Sequence, residues 1–456
     1  MTDENNSNRV SVGDRLERLP ISKFHWKFTL MVTGGEWFIT FMLLALGEFL
    51  ALVSETLGLS TAVATFVMPT SAFSGMFVGT LLFGRFADKY GRRTIYFFNL
   101  VIFGLGGILA ALMSNYILIA LFMFILGTGM GAEIPLGDTY ISEMMPGESR
   151  GSKLALVYTL AITSAPAGAF MLLEFTTWNL NLGWRVVLVL ISVGALIFQV
   201  VRWKIPESPR WLESQNRLSE ADKLTERIEN DVMNDRKINS LPDVKRNTRV
   251  TSGKPKMSEL FSPALRRNTL MVLIFQYAQS GVFFGFVALV PTFLVIKGIS
   301  LITTIYFTML IYLGFVLGSV ANIFYIDKIE RKYGVVGSII TAGVFGILFA
   351  ATSNLVLIVV FGFLTAFALW NMSNFFHQYQ AEIFPTKLRG TGTGLGQSIN
   401  AVASATVPLM LVFYALPLGV IPVFIIIWIL ILIVTVDIMV FGPKTSKKEL
   451  ESITTI

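Results

Sequence analysis

The sequence predicts an all-α membrane protein, with twelve transmembrane helices in two equivalent bundles of six. Three observations carry that reading. The 456 residues are 54% hydrophobic and only 14% charged, whereas a soluble domain carries about 25% charged residues. The apolar residues gather in twelve runs, each near the ~20 residues that a helix needs to cross a bilayer. Two polar phrases each occur twice, at one shared spacing.

Six runs lie near 28–53, 65–86, 94–113, 116–142, 153–174 and 184–203. Six more lie near 268–294, 303–325, 335–352, 355–380, 391–414 and 420–441. The chain thus divides into an N-terminal tail (1–27), a first bundle (28–203), a central loop (204–265), a second bundle (266–441) and a C-terminal tail (442–456). The first tail mixes acids and bases and has no short apolar core ending in small residues. The first span is therefore expected to double as the insertion signal. With no cysteine in the chain, disulfides and thiolate metal sites are excluded.

Orientation follows from the bases. If both termini are cytoplasmic, every lysine and arginine except Arg185 and Lys297 falls on the cytoplasmic side. Cytoplasmic loops of membrane proteins are enriched in these residues. The net charge of +7 therefore reflects insertion and a lipid-bilayer partner, and it does not point to nucleic acid. The expected location is the plasma membrane.

The first repeated phrase is E-x-x-P-x-x-x-R-G. Glu143, Pro146, Arg150 and Gly151 return as Glu382, Pro385, Arg389 and Gly390, each 239 residues later. The second is GRFADKYGRR, whose Asp88, Lys89, Arg92 and Arg93 return in YIDKIERKYG as Asp327, Lys328, Arg331 and Lys332, again 239 residues on. Two phrases at one offset indicate two structurally equivalent halves. Parallel repeats of this kind hold a substrate site between them, near the bilayer midplane. Gly91 in the first copy is replaced by Glu330 in the second, so the second turn is expected to differ in shape.

These phrases, with PESPRWL after the sixth span, resemble the major facilitator superfamily, most closely its sugar-porter and metabolite:proton-symporter branches. The resemblance runs from the first span to the twelfth. It implies the major facilitator fold and alternating access. It also implies a gating network of Asp88, Arg92, Arg93, Glu143, Arg150, Glu207 and Arg210, with Asp327, Arg331, Lys332, Glu382 and Arg389, paired when the cytoplasmic side is closed. Exposed ion pairs contribute only about 0–1 kcal/mol each, but several together bias a two-state equilibrium. The competing explanation is positive-inside charge plus helix capping.

In the central loop, Leu218, Ala221, Leu224, Ile228 and Val232 have the spacing of an amphipathic helix. Ser219 and Asp222 resemble a capping box at its start. Such a helix is expected to lie against the bundle or on anionic lipid. No phosphate-binding loop is present, so transport would be driven by gradients.

Charges inside a membrane are costly and mark function. Glu36, Glu48, Glu133, Asp138 and Asp437 fall within spans, and no lysine or arginine is expected in a helix core. Glu133 follows three glycines in GTGMGAEIP. It is the first candidate for proton coupling, with Glu36, Glu48 and His377 as further ones. The alternative for Glu133 is an acid hydrogen-bonded inside the bundle. Symporters of the resembling branches carry helix 1 aspartates where this chain has Ile39 and Met42, and an arginine where it has Met123. The usual acid–arginine pair is therefore missing at those positions.

Candidate substrate ligands are Gln276, Gln279 and Ser280 in the seventh span. Trp370, Asn371, Asn374 and Gln378 in the tenth join them, with Gln397 and Asn400 in the eleventh. Amides both donate and accept, as a hydroxylated solute requires; the same residues also serve for interhelical hydrogen bonds. With no cation expected in the cavity, a neutral sugar-like metabolite ranks first, an organic cation second and an organic acid third. Proton symport is expected, with uniport as the alternative. A non-transporting sensor is the rival from another class; the retained gating charges and the short C-terminal tail argue against it. No nucleophile–base pair or metal spacing suggests an enzyme. No cofactor or metal is expected, and the working unit is expected to be a monomer.

Overall fold

The computed structural model describes residues 10–244, 257–326, 328–384 and 388–445. Among them, twelve helices are long and apolar enough to span a membrane. The first bundle contains α1 (Lys23–Leu57), α2 (61–90), α3 (Arg92–Leu112), α4 (Tyr116–Met144), α5 (Gly147–Ala161 and Ser164–Trp178) and α6 (Leu180–Arg202). The second contains α7 (Arg266–Ile296), α8 (Leu301–Tyr325), α9 (Arg331–Ala351), α10 (Leu355–Glu382), α11 (Arg389–Met410) and α12 (Val420–Phe441). A wide turn around Pro69 interrupts α2, because proline cannot donate the backbone bond that a regular turn needs.

The 239-residue offset reappears as paired detail. Asn115 caps the start of α4 and Asn354 caps the start of α10, each side chain accepting an otherwise unpaired backbone N–H. Arg185 donates to the carbonyls of Ala111 and Met113 at the end of α3. Lys297 donates to Ala350 and Thr352 at the end of α9, at 2.6 and 2.7 Å. The two bases left on the face opposite the termini thus complete equivalent helix C-termini, where carbonyl partial charge favours a cation.

Glycine spacing sets the packing of α4. A Cβ at Gly127 or Gly131 would run into the α2 backbone, and one at Gly129 into the α3 backbone. Only glycine lets the three helices approach this closely. The bundles meet along α1 with α7, α2 with α11 and α5 with α8. Gly47 lies against the Val287 carbonyl, which a Cβ would approach to 2.5 Å. The Tyr312 hydroxyl donates to the carbonyls of Leu44 (3.2 Å) and Val287 (3.1 Å). Thr70 donates to the Ala405 carbonyl at 3.2 Å, and the rings of Phe73 and Phe284 meet edge-on at 4.7 Å. These contacts close the molecule toward the face opposite the termini.

The segment before α1 is more ordered than its polar composition suggests. A short helix, Val12–Glu17, buries Val12 and Leu16, and Leu19 follows them. It docks on the central helices Pro209–Ser214 and Leu218–Arg236. Arg15 and Arg18 both pair with Glu229, at 2.6 and 2.8 Å. Arg15 also reaches Asp222 at 3.2 Å. Burial alone would raise the Glu229 carboxyl; the hydrogen bonds and charges of Arg15 and Arg18 outweigh it and hold the group below its ordinary range. The expected capping box is not formed, because the helix starts at Leu218 without a side-chain cap and Asp222 turns to Arg15. The amphipathic face is as expected, with Ala221, Ile228 and Val232 buried.

Candidate functional site in the central cavity

A cavity of about 140 Å³ lies between the bundles, lined by α1, α2, α4, α5, α7, α10 and α11. Larger depressions open on the outside of the first bundle, away from the junction of the halves. The cavity collects Glu36, Gln276, Gln279, Trp370, Asn374, His377, Gln397 and Asn400. On α10 the lining face is Trp370, Ser373, Asn374 and His377, the i, i+3, i+4, i+7 spacing of one helical stripe.

The amides form a partial network. The Gln276 carbonyl oxygen accepts from Gln279 (2.9 Å) and Asn400 (3.1 Å), and its NH₂ donates to Gln380 (2.8 Å). Among the described residues, Asn374 and Gln397 make no side-chain hydrogen bond, and the buried Trp370 indole N–H has no acceptor. Donors and acceptors therefore remain unpaired where the wall is otherwise aromatic. Trp370 itself packs edge-on against Phe315 at 5.7 Å.

Three candidates point elsewhere. Ser280 bonds to the Asn400 carbonyl and to Ser404. Asn371 bonds to Asn322 and Tyr325 of α8. Gln378 lies outside the cavity lining. Asn371 and Gln378 flank the lining stripe of α10, which is phased on Trp370.

The acids separate into three environments. Glu36 is the one acid lining the cavity among the described residues; it is 1% exposed and its Oε1 has no hydrogen-bond partner. Glu48 is fully buried nearer the closed face, beside Gly47, with neither oxygen partnered. Glu133 lies inside the first bundle, bonded to Asn99 and to both terminal nitrogens of Arg202. The Arg202 guanidinium also lies over the Tyr96 ring. This corrects the expectation that no arginine enters a helix core. Arg202 occupies the last turn of α6 and is 1% exposed, and an acid–arginine pair joins α4 to α6. The only available signals were an intramembrane acid and an arginine at a span end, 69 residues apart.

Across the cavity mouth, the rings of Tyr158 (α5) and His377 (α10) stack at 5.6 Å. The Tyr158 hydroxyl donates to Asp138 of α4 at 2.7 Å. An acid of one bundle is thereby connected to a histidine of the other.

The repeated charges make matched pairs within each bundle. Arg92 meets Glu143 at 3.3 Å, and Arg331 meets Glu382 at 3.5 Å. Arg93 donates to the Trp203 carbonyl after α6, and Lys332 to the Gly442 carbonyl after α12, both at 2.9 Å. Glu207 accepts the backbone N–H groups of Arg92 and Arg93 at 3.0 and 3.2 Å, capping α3. Arg210 pairs with Glu17 at 2.8 Å. Gly91 takes φ 101° against the Glu207 carboxylate, whereas Glu330 has φ −57° and accepts from the Thr445 N–H. The two turns differ as the substitution implied. Asp327, and the side chains of Asp88, Arg150 and Arg389, lie outside the described residues.

Twelve spanning helices in two matched bundles, around a central cavity, define a membrane carrier of the major facilitator fold. The sugar (and other) transporter family matches residues 37–456, and the chain belongs to that family. It is 26% identical to the putative metabolite transport protein YyaJ of Bacillus subtilis, over 96% of this chain and 97% of that one. It is 25% identical to the niacin transporter NiaP of Acinetobacter baylyi, over 96% and 98%. It is 27% identical to the arabinose-proton symporter of Bacillus subtilis, over 84% of each chain as aligned. The fold matches a D-xylose-proton symporter structure with a TM-score of 0.70 at 20% identity, covering 94% of this chain and all of the other. The chain is a secondary transporter working by alternating access, and it is not an enzyme.

Proposed function

We propose that this carrier moves a small, polar, sugar-like metabolite together with a proton, with both termini cytoplasmic and the protein in the plasma membrane. The observation that carries the solute assignment is the set of unpaired amides, Asn374 and Gln397, with the Trp370 N–H, in a cavity with an aromatic wall. A hydroxylated solute supplies donors and acceptors for each without needing a counter-charge. The basic terminal face supports the orientation. In that frame the conformation is closed to the outside. Because one chain completes the cavity, the carrier works as a monomer.

Glu36 is the proton carrier in this reading. It faces the cavity with an unpartnered oxygen, and the charged groups around it are Asp138, Glu133 and Arg202. Glu133 is held by Arg202 and acts as a positioning residue. Glu48 and His377 remain with the gates, one in the closed outer contact and the other in the Tyr158 stack. The matched Arg92–Glu143 and Arg331–Glu382 pairs brace the inner end of each bundle as it rocks. A small aromatic acid is the second reading, favoured by the phenylalanine-rich wall of Phe283, Phe284 and Phe376 and by the niacin transporter among the relatives.

The test is uptake of labelled pentoses, hexoses and pyridine carboxylates into proteoliposomes, with and without an inward proton gradient. Saturable sugar uptake that rises with the gradient is expected. Uptake of the acids alone would replace the first reading by the second. Binding without uptake of any solute would overturn both.

A further inference from the structure

A groove of about 1190 Å³ runs along the terminal face, where the central helix Leu218–Arg236 passes the ends of α1, α3 and α6. Four of its bases are exposed and, among the described residues, hold no ion pair or hydrogen bond. They are Lys27 on α1, Lys204 just past α6, and Lys223 and Arg227 on the central helix. Most of the lining acids are occupied. Glu207 caps α3, and Glu220 pairs with Arg217 at 2.6 Å. Among the described residues, Asp231 is the one lining acid that holds no partner. Four free cations thus face one free acid.

The wall toward the membrane is apolar. Leu30, Tyr90 and Val201 line it, and each is more than half exposed. Lys27 lies near the start of α1 and Lys204 just past the end of α6, at the ends of two spanning helices. Insertion accounts for bases at span ends. It does not account for Lys223 and Arg227, which belong to a helix outside the membrane and line the same groove from the other side. A water-soluble polyanion would use the bases but leave the apolar wall uncovered.

The structure assigns this groove to the headgroup of an anionic membrane phospholipid. The phosphodiester lies between Lys27 and Lys204 on one side and Lys223 and Arg227 on the other. The acyl chains run along Leu30 and Val201. Clustered bases beside a span bind anionic headgroups in this way, and long basic side chains place their stems on apolar surface while the charge reaches phosphate. Bound lipid ties the central helix to the first bundle. This inference is independent of the transported solute.

The test uses the full-length chain in a neutral detergent, titrated with short-chain phosphatidylglycerol, phosphatidylcholine of equal chain length, or glycerol 3-phosphate. The readout is the midpoint of thermal unfolding. Phosphatidylglycerol is expected to raise the midpoint at far lower concentration than phosphatidylcholine. In the K27Q/K204Q/K223Q/R227Q variant its apparent affinity falls by roughly several hundredfold, since each of the four bases near an anionic surface contributes roughly fivefold. The charge-retaining K27R/K204R/K223R variant keeps the parent response. If the glutamine variant responds to phosphatidylglycerol as the parent does, or the arginine variant loses the response, the site is overturned. A parent response to glycerol 3-phosphate equal to that for the lipid overturns the membrane lipid as occupant.

Discussion

Replacing Glu133 by glutamine tests the buried pair that the structure adds to the first bundle. Both partners are almost completely enclosed, at 0% and 1% exposure. Glu133 accepts from Asn99 and from two nitrogens of Arg202. Glutamine keeps the shape but removes the charge, and it turns an NH₂ toward groups that are already donors. Breaking a buried pair from one side leaves an uncompensated charge and costs about 3–5 kcal/mol, whereas an exposed pair would cost no more than about 1 kcal/mol. The folding constant should therefore fall by roughly two to four powers of ten. The double variant E133Q/R202Q removes both charges and should recover much of that loss. Equilibrium unfolding in mixed micelles measures the cycle. The reasoning is refuted if E133Q costs less than about 1 kcal/mol and the two substitutions are simply additive. E133Q protein that folds should still show gradient-driven uptake, because the pair positions and does not carry.

Glu36→Gln should abolish gradient-driven accumulation while preserving solute exchange across the proteoliposome membrane; accumulation at the parent level would remove Glu36 from coupling. Gly91→Ala should destabilise by about 1–3 kcal/mol for its positive-φ backbone, plus the clash with Glu207, while Glu330→Gln, at φ −57° and with an amide oxygen still able to accept from the Thr445 N–H, should cost less. Equal effects in thermal unfolding would contradict the assigned turn shapes. Glu229, whose folded value is depressed, stabilises docking of the 10–22 segment above its ordinary 4.5. That contribution is lost as pH falls through the folded value. Proteolysis within this segment should accelerate as pH is lowered below the ordinary 4.5 and in Glu229→Gln at neutral pH; a rate unchanged in both would refute the clamp.

Much of the architecture was legible because membrane burial is written in long apolar runs, and the 239-residue offset carried detail down to single caps. The Asn115 and Asn354 caps and the Arg92–Glu143 and Arg331–Glu382 pairs follow that register. The N-terminal segment was not legible. Its apolar residues, Val12, Leu16 and Leu19, are too few among charges to stand out, and its acidic partner Glu229 lies 214 residues away from Arg15. Arg202 was hidden because a base at a span end reads as a loop residue until its acid is located. Side-chain direction on α10 was half legible. The amide spacing indicated a polar face, but the face is phased on Trp370 and His377, which turns Asn371 toward α8. Long-range pairing and rotational phase of this kind are fixed by tertiary packing, which a local pattern does not contain.

The most direct test of alternating access is a reversible lock on the closed contact at the face opposite the termini. The chain has no native cysteine, so a Thr70→Cys/Ala405→Cys pair, placed where α2 already bonds to α11, gives one disulfide. Oxidation should stop uptake by proteoliposomes, and reduction should restore it, while either single variant transports under both conditions. Undiminished uptake by the fully cross-linked protein would contradict a cavity that opens by rocking the two bundles.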